Sequence, residues 1–263
     1  MREKRYFIAF VVITAILLFL GTGCKRMVLR IPKPETVSKG KLTVGMDATF
    51  PPFEEKRGRK FVGFDVDLAG EIAKRLGLKL EIVDIPWDDL IVGLRARKYD
   101  AIISALIVTP EGENEIALST PYLENNLAIC VRKNSSIQSE AELSGKKVGV
   151  EFNSEGEKEA QGLKEAGVRI KQIRTYDTIL FAFEDLESKV IDALVDDFPV
   201  VSYFSRRKKN LKVAFVVRTG QAYCVGVREG NDDLLNAINY ALSNIKEDGT
   251  YKKICEKWFG EFP

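Results

Sequence analysis

The sequence predicts an α/β protein with mostly parallel sheets, and three observations predict it. From Lys41 onward, runs of strand length alternate with segments of helical period. The connections between them are short, which implies parallel strands covered on both faces by helices. About 240 residues follow the N-terminal apolar run, enough for one large domain or two lobes of ordinary size. In such sheets ligands sit beyond the carboxyl ends of the strands, often at helix N-termini.

The first element is a short strand, Lys41-Leu-Thr-Val-Gly45. Phe64 to Leu76 is helical: Leu68, Ile72 and Leu76 fall on one face, Asp65 can cap the start, and Gly77 follows the end. Leu78 to Ile85 alternates as a strand does. Leu90, Ile91 and Leu94 give Asp88 to Arg97 a helical period, and Ala101-Ile-Ile103 is a buried strand. Lys147 to Val150 is a strand running into a helix at Ser154, with Ser154 and Glu157 spaced as a capping box. Val190 to Val195 is a further strand, and Asp232 to Ile245 and Tyr251 to Trp258 are closing helices. No internal repeat or low-complexity segment interrupts the series.

Ahead of the fold, Met1 to Arg5 is basic, and Phe7 to Leu20 is apolar apart from Thr14. This run is too short to span a bilayer core comfortably and fits the central region of a secretory signal. It ends Leu20-Gly21-Thr22-Gly23-Cys24, which resembles a bacterial lipoprotein signal, with Gly21 where that pattern usually has a branched apolar residue. Residues 1–23 are then a signal peptide and Cys24 the lipidated N-terminus. The other reading is an uncleaved single-pass anchor. Both put the remainder outside the cytoplasm. Met27 to Gly40 holds Pro32, Pro34 and Ser38 without apolar periodicity, so residues 24–40 read as a lipid-anchored tether.

Residues 1–23 carry three basic side chains and one acidic, so of the totals of 40 and 38 the remainder holds 37 of each. That balance argues against a nucleic-acid partner, which would need a basic surface. The chain has no histidine, so the commonest general base and metal ligand is missing. Cys130, Cys224 and Cys255 are well separated and lack zinc-type spacing, and no cofactor or metal is expected.

Seven motifs occur in order. They are Ala48-Thr-Phe-Pro-Pro-Phe53, Val62-Gly-Phe-Asp-Val-Asp-Leu68, Lys98-Tyr-Asp-Ala101, Ser119-Thr-Pro-Tyr122 and Leu143-Ser-Gly-Lys-Lys-Val-Gly-Val150. Ile191-Asp-Ala193 follows, then Asp248-Gly-Thr-Tyr251 with Lys257-Trp-Phe-Gly260. Together, over Lys41 to Gly260, they resemble extracellular solute-binding proteins of family 3, the polar amino-acid group of ABC transporters. The resemblance implies a two-lobe periplasmic-binding-protein fold (type II) with two crossing hinge strands near Leu127 to Val131 and Tyr223 to Val227. Lobe 1 is then 41–127 plus 226–263, and lobe 2 is 128–225. That mapping puts Cys130 and Cys224 on neighbouring hinge strands, either as a disulfide or as two small buried side chains. Cys255 falls on the inward stripe of the last helix.

By the same resemblance, Phe50 stacks on the ligand, Trp87 is a second wall, and Asp197 binds a substrate ammonium through a charge-assisted bond. Asp47 either faces the ligand side chain or is a loop acid, and Phe53 is either pocket or core. The carboxylate side departs from the family's pattern. Thr109-Pro-Glu-Gly112 has glycine where the family has an arginine, Ile107 replaces a hydroxyl, and Asn153-Ser-Glu155 stands where the family has Gly-Thr-Thr. Ser104, Thr109 and Ser154 remain as hydroxyl donors. A free carboxylate there would lack its main partner and face Glu155, a costly burial of charge. An amine, a carboxyl-blocked amino acid or a peptide-like fragment fits better, unless Arg95, Arg132 or another nearby base swings in. The expected protein is thus a monomeric, non-enzymatic binding lipoprotein of the cell envelope, with an amino-acid-like ligand and ABC permease partners. The alternatives are a cyclohexadienyl-dehydratase-like enzyme on the same scaffold and a ligand-free sensor or interaction module.

Overall fold

Lys41–Met46 (β1) forms a strand because every residue after Lys41 is buried between layers, with Leu42, Val44 and Met46 fully enclosed. In the computed structural model, which describes residues 34–107 and 116–260, β1 opens a repeated strand–helix series. Cys24, Thr109 and Gly112 lie outside the described residues. Next come Thr49–Phe50 (β2), Glu54–Arg57 (β3) and Lys60–Val62 (β4), a small antiparallel sheet. Phe64–Arg75 (α1), Lys79–Asp84 (β5), a 3-10 turn at Trp87–Asp89, Leu90–Arg95 (α2), Ala101–Ile102 (β6) and Ile116–Leu118 (β7) complete the first half.

The second half begins with the long strand Leu123–Arg132 (β8). Lys147–Glu151 (β9), Glu155–Glu165 (α3), Gln172–Tyr176 (β10), Ile179–Glu187 (α4), Ala193–Asp197 (β11), Phe198–Arg207 (α5) and Leu211–Tyr223 (β12) follow. Gly226–Arg228 (β13), Asp232–Glu247 (α6) and Thr250–Phe259 (α7) close the chain.

Two five-stranded sheets result, ordered β5-β1-β6-β13-β7 and β10-β9-β11-β8-β12. The fold is therefore two-lobed α/β, but strand directions are more mixed than strand–helix alternation alone predicts. β5, β1 and β6 run parallel, as do β10, β9 and β11, whereas β13, β7, β8 and β12 pair antiparallel. The antiparallel strands are those adjoining the two passages between sheets, so their direction is set by the crossings and not by helical connections.

The chain passes between sheets at 119–122 and 224–225, and the two passages are bonded together. Ser119 N donates to Val225 O (2.9 Å), Tyr122 N to Tyr223 O (2.9 Å), and Val225 N to Ser119 Oγ (2.9 Å). Leu127 to Val131, expected at the crossing, instead pairs inside the second sheet with β11 and β12. This excludes the Cys130–Cys224 disulfide. Cys130 opposes Leu194 and Val213, while Cys224 follows Tyr223, the partner of Leu123. Leu123 and Cys130 lie about 23 Å apart at ~3.3 Å per residue, far beyond disulfide reach. All three of Cys130, Cys224 and Cys255 are free and buried.

Beneath the crossings lies an aromatic cluster. Phe53 is core and meets Tyr223 at 5.0 Å and Phe259 at 5.7 Å between centroids, and Phe64 meets Phe259 at 4.8 Å. Tyr122 and Tyr223 stack at 6.1 Å, one from each passage.

Three local expectations are corrected. Asp65 does not cap α1: Gly63 occupies that position, and Asp65 turns inward, fully buried, to accept from Ala105 N (2.6 Å) and Tyr122 OH (2.9 Å). The strand expected at Val190–Val195 is shifted to β11, because Lys189 and Val190 still belong to the turn that ends α4. The helix expected from Asp88 to Arg97 is a 3-10 turn followed by the short α2.

The cap at α3 falls at Ser154 as the spacing predicts, with Glu157 bonding one residue ahead of the cap. Ser154 Oγ accepts from Glu157 N (3.1 Å), and Glu157 reaches back to Asn153 N (2.8 Å). Ser154→Ala is expected to cost about 1 kcal/mol, read as a lower denaturant midpoint with an unchanged slope.

Candidate ligand-binding cleft

Each sheet ends its parallel strands at the same cleft. β1 delivers Asp47, β5 leads to Trp87 and Asp88, and β6 leads to Ser104, Ala105 and Ile107. From the second sheet, β9 delivers Glu151 to Ser154, α3 adds Glu155 and Lys158, and β11 adds Asp196 and Asp197. The cleft encloses about 340 Å³, the size of a small-molecule site. Its position beyond the carboxyl ends of parallel strands follows from strand direction.

The first wall is organised by hydrogen bonds. Asp47 accepts from Thr49 Oγ1 (2.7 Å) and Trp87 N (2.9 Å), and its own N donates to Ser104 Oγ (3.0 Å). Ser104 in turn donates to Glu54 (2.8 Å), which is wholly buried next to Asp65. Burial first, then their mutual repulsion, raises Glu54; burial raises Asp65. Phe50 stacks on Phe53 at 5.8 Å, and Trp87 remains 39% exposed along the rim.

On the second wall, Asp197 is 8% exposed and accepts from Asn125 Nδ2 (2.8 Å) and Tyr223 OH (2.6 Å). Its carboxyl is raised, by burial foremost. Glu151 accepts from Ile179 N at the start of α4 (3.2 Å), and burial, with lesser repulsion from Asp47 and Asp197, pushes it up to about 8. Glu155 pairs with Lys158 (2.6 Å) and accepts from Gln221 Nε2 (2.8 Å). Asp196 Oδ2 is buried without a hydrogen-bond partner. Asn153 Nδ2 lies 3.4 Å from Asp88 Oδ1, joining the two walls. Ala105 (φ 44) and Asn153 (φ 56) hold left-handed backbone here, where strain commonly accompanies function.

Asp47, Phe50, Trp87, Ser104, Asn153, Ser154, Glu155 and Asp197 therefore share one cleft. Arg132 does not line it: its guanidinium donates to Leu186 O (2.8 Å) and Ile191 O (2.6 Å) and pairs with Asp192. Sequence reasoning missed Glu54, Glu151, Phe152 and Asp196. A carboxylate ending a buried strand, as in Glu151 after Val150, was the available signal.

These carboxyls give the ligand-free protein a pH dependence. Glu151 ionises near its ordinary 4.5 when unfolded and near 8 when folded. Between those values the folded state holds a proton that the unfolded state has lost, so this contribution is complete below 4.5 and fades toward 8. Asp65 and Asp197 act in the same direction. The melting temperature of ligand-free protein should fall as pH rises from 5 to 8, and Glu151→Gln should flatten that fall.

The family description "Bacterial extracellular solute-binding proteins, family 3" matches residues 42–261. ABC transporter arginine-binding protein 1 of Escherichia coli is 36% identical over 225 residues, covering 83% of this chain and 90% of that protein. An ancestral arginine-binding protein bound to glutamine superposes with TM-score 0.75 at 41% identity, covering 85% of this chain and all of that one. An ancestral amino acid-binding protein, AncCDT-1, described as a precursor of cyclohexadienyl dehydratase, gives 0.74 at 35% identity, with 84% and 95% covered.

Proposed function

Since the chain belongs to the bacterial extracellular solute-binding proteins of family 3, we propose that it is the substrate-binding lipoprotein of an ABC importer. It captures an amino acid or amino-acid-like polar solute in the cleft between its lobes. The observation that carries this reading is the meeting of Phe50, Trp87 and Asp197 with Asp47 and Ser104 at the carboxyl ends of both sheets.

In this reading Asp197 accepts the ligand's ammonium, and its orientation is fixed beforehand by Asn125 and Tyr223. Phe50 and Trp87 cover the apolar part of the ligand and displace water. Carboxylate recognition is non-standard, because Ile107 and Glu155 replace the usual donors. Lobe 1 is the part built on the first sheet and lobe 2 the part built on the second, which begins with β8 at Leu123, and closure bends the bonded passages at 119–122 and 224–225. A ligand that bridges both walls stabilises the closed state by its differential affinity. Cys24 carries the lipid, residues 24–40 form the tether, and the monomer meets its permease at the cell envelope.

Trp87 provides the test. A panel of amino acids and amines is titrated while tryptophan fluorescence is followed. Binding in this cleft gives a saturable change that Trp87→Phe abolishes and Trp258→Phe preserves. Calorimetric binding with an unchanged Trp87 signal places the ligand elsewhere and refutes the site. The likeness to AncCDT-1 favours one second reading, an enzyme on the same scaffold with Glu155 as general acid. Turnover of prephenate or arogenate would establish it, although such substrates need a cation and, among the described lining residues, the cation Lys158 is already paired with Glu155.

A further inference from the structure

The charge of the cleft is lopsided. Asp47, Glu54 and Asp88 line one wall, and Glu151, Glu155, Asp196 and Asp197 line the other. Among the described lining residues the cation is Lys158, and it is already bonded to Glu155 at 2.6 Å. The end of α3, where backbone N–H groups would favour an anion, carries Glu155 in its own first turn. A ligand carboxylate thus meets acidic groups on both sides and no unpaired cation among the described lining residues, whereas a cation finds an acceptor on either wall.

We propose that the cleft takes a ligand with a cationic group at each end and no carboxylate, a diamine or guanidino-amine, bridging the Asp47–Asp88 wall and the Asp197 wall. The proposal rests on the solute-capture reading and specifies its ligand. One cation sits against Asp197, which already has both oxygens oriented by Asn125 and Tyr223. The other sits near Asp47, whose oxygens are oriented by Thr49 and the Trp87 backbone. The methylene chain between the cations lies against Phe50 and Trp87, where aromatic faces favour both alkyl contact and cations. Asp196 Oδ2, buried without a partner, adds acceptor capacity to the second wall.

Paired probes isolate the carboxylate. The purified full-length protein is titrated calorimetrically with arginine against agmatine and with lysine against cadaverine, each pair differing by that one group. The expected result is at least tenfold tighter binding of agmatine and cadaverine. Equal or tighter binding of arginine or lysine overturns the proposal and leaves solute capture standing. Binding of a neutral amino acid with none of the four probes does the same. If no amino acid or amine binds at all, the solute-capture reading falls with it.

Discussion

Asp197→Ala is expected to weaken ligand binding by about 100-fold or more, the largest effect of any single change in the cleft. On the proposed reading the ligand's cation loses a charge-assisted bond formed in a nearly dry site, where leaving one partner unpaired costs about 3–5 kcal/mol. Part of that loss is structural, because Tyr223 OH and Asn125 Nδ2 lose their acceptor as well. Asp197→Asn separates the two effects. Its amide oxygen still accepts from Tyr223, so stability should be largely kept, while the missing charge should hold affinity near that of the alanine variant. Calorimetry on both variants, with denaturation curves alongside, measures each part.

Gly63→Ala should produce the largest loss of stability, about 4 kcal/mol or more when backbone strain and overlap are added. Gly63 has φ 153, and an added Cβ would stand 1.9 Å from the carbonyl oxygen of Phe53. That carbonyl cannot retreat, because it accepts from Asp65 N at 2.9 Å and starts α1. At Gly45 the obstacle is the Tyr99 ring at 2.6 Å, a side chain that can yield in part, so Gly45→Ala should cost less. Gly70, inside α1 with open space around it, is the control. Gly70→Ala should be neutral or gain up to about 1 kcal/mol from helix propensity. Denaturant midpoints of the three variants give the order.

The strength of these expectations reflects what the sequence carries locally. Helical and strand periods placed α1, α3, α6 and most strands of the parallel cores, and Ser154 with Glu157 identified a cap that the structure contains. The motifs gathered Phe50, Trp87, Ser104 and Asp197 around one cleft although they are scattered over the chain. What failed locally were features set by distant partners. Asp65 looks like a cap from its neighbours, yet it is drawn inward by Ala105 and Tyr122, 40 and 57 residues away. The second passage falls within the expected Tyr223 to Val227, but the first falls at 119–122 rather than at Leu127 to Val131, because β8 begins pairing with β12 as soon as it leaves the first sheet. Glu54 and Asp196 escaped notice because a buried carboxylate that does not close a strand is recognisable only once the layers that cover it are known.

The same buried acids link binding to the fold's own stability. If the proposed cation enters the cleft, it offsets repulsion among groups that otherwise hold protons, so ligand and pH would act on one set of charges. A thermal-shift panel of amino acids and amines on the full-length protein tests this most directly, since a ligand of the folded state raises its melting temperature by mass action. Cationic compounds should give the largest shifts at pH 8, acidic ones none, and Asp197→Ala should remove the response. A largest shift from an acidic or neutral compound, or a response that survives in Asp197→Ala, would contradict this reading.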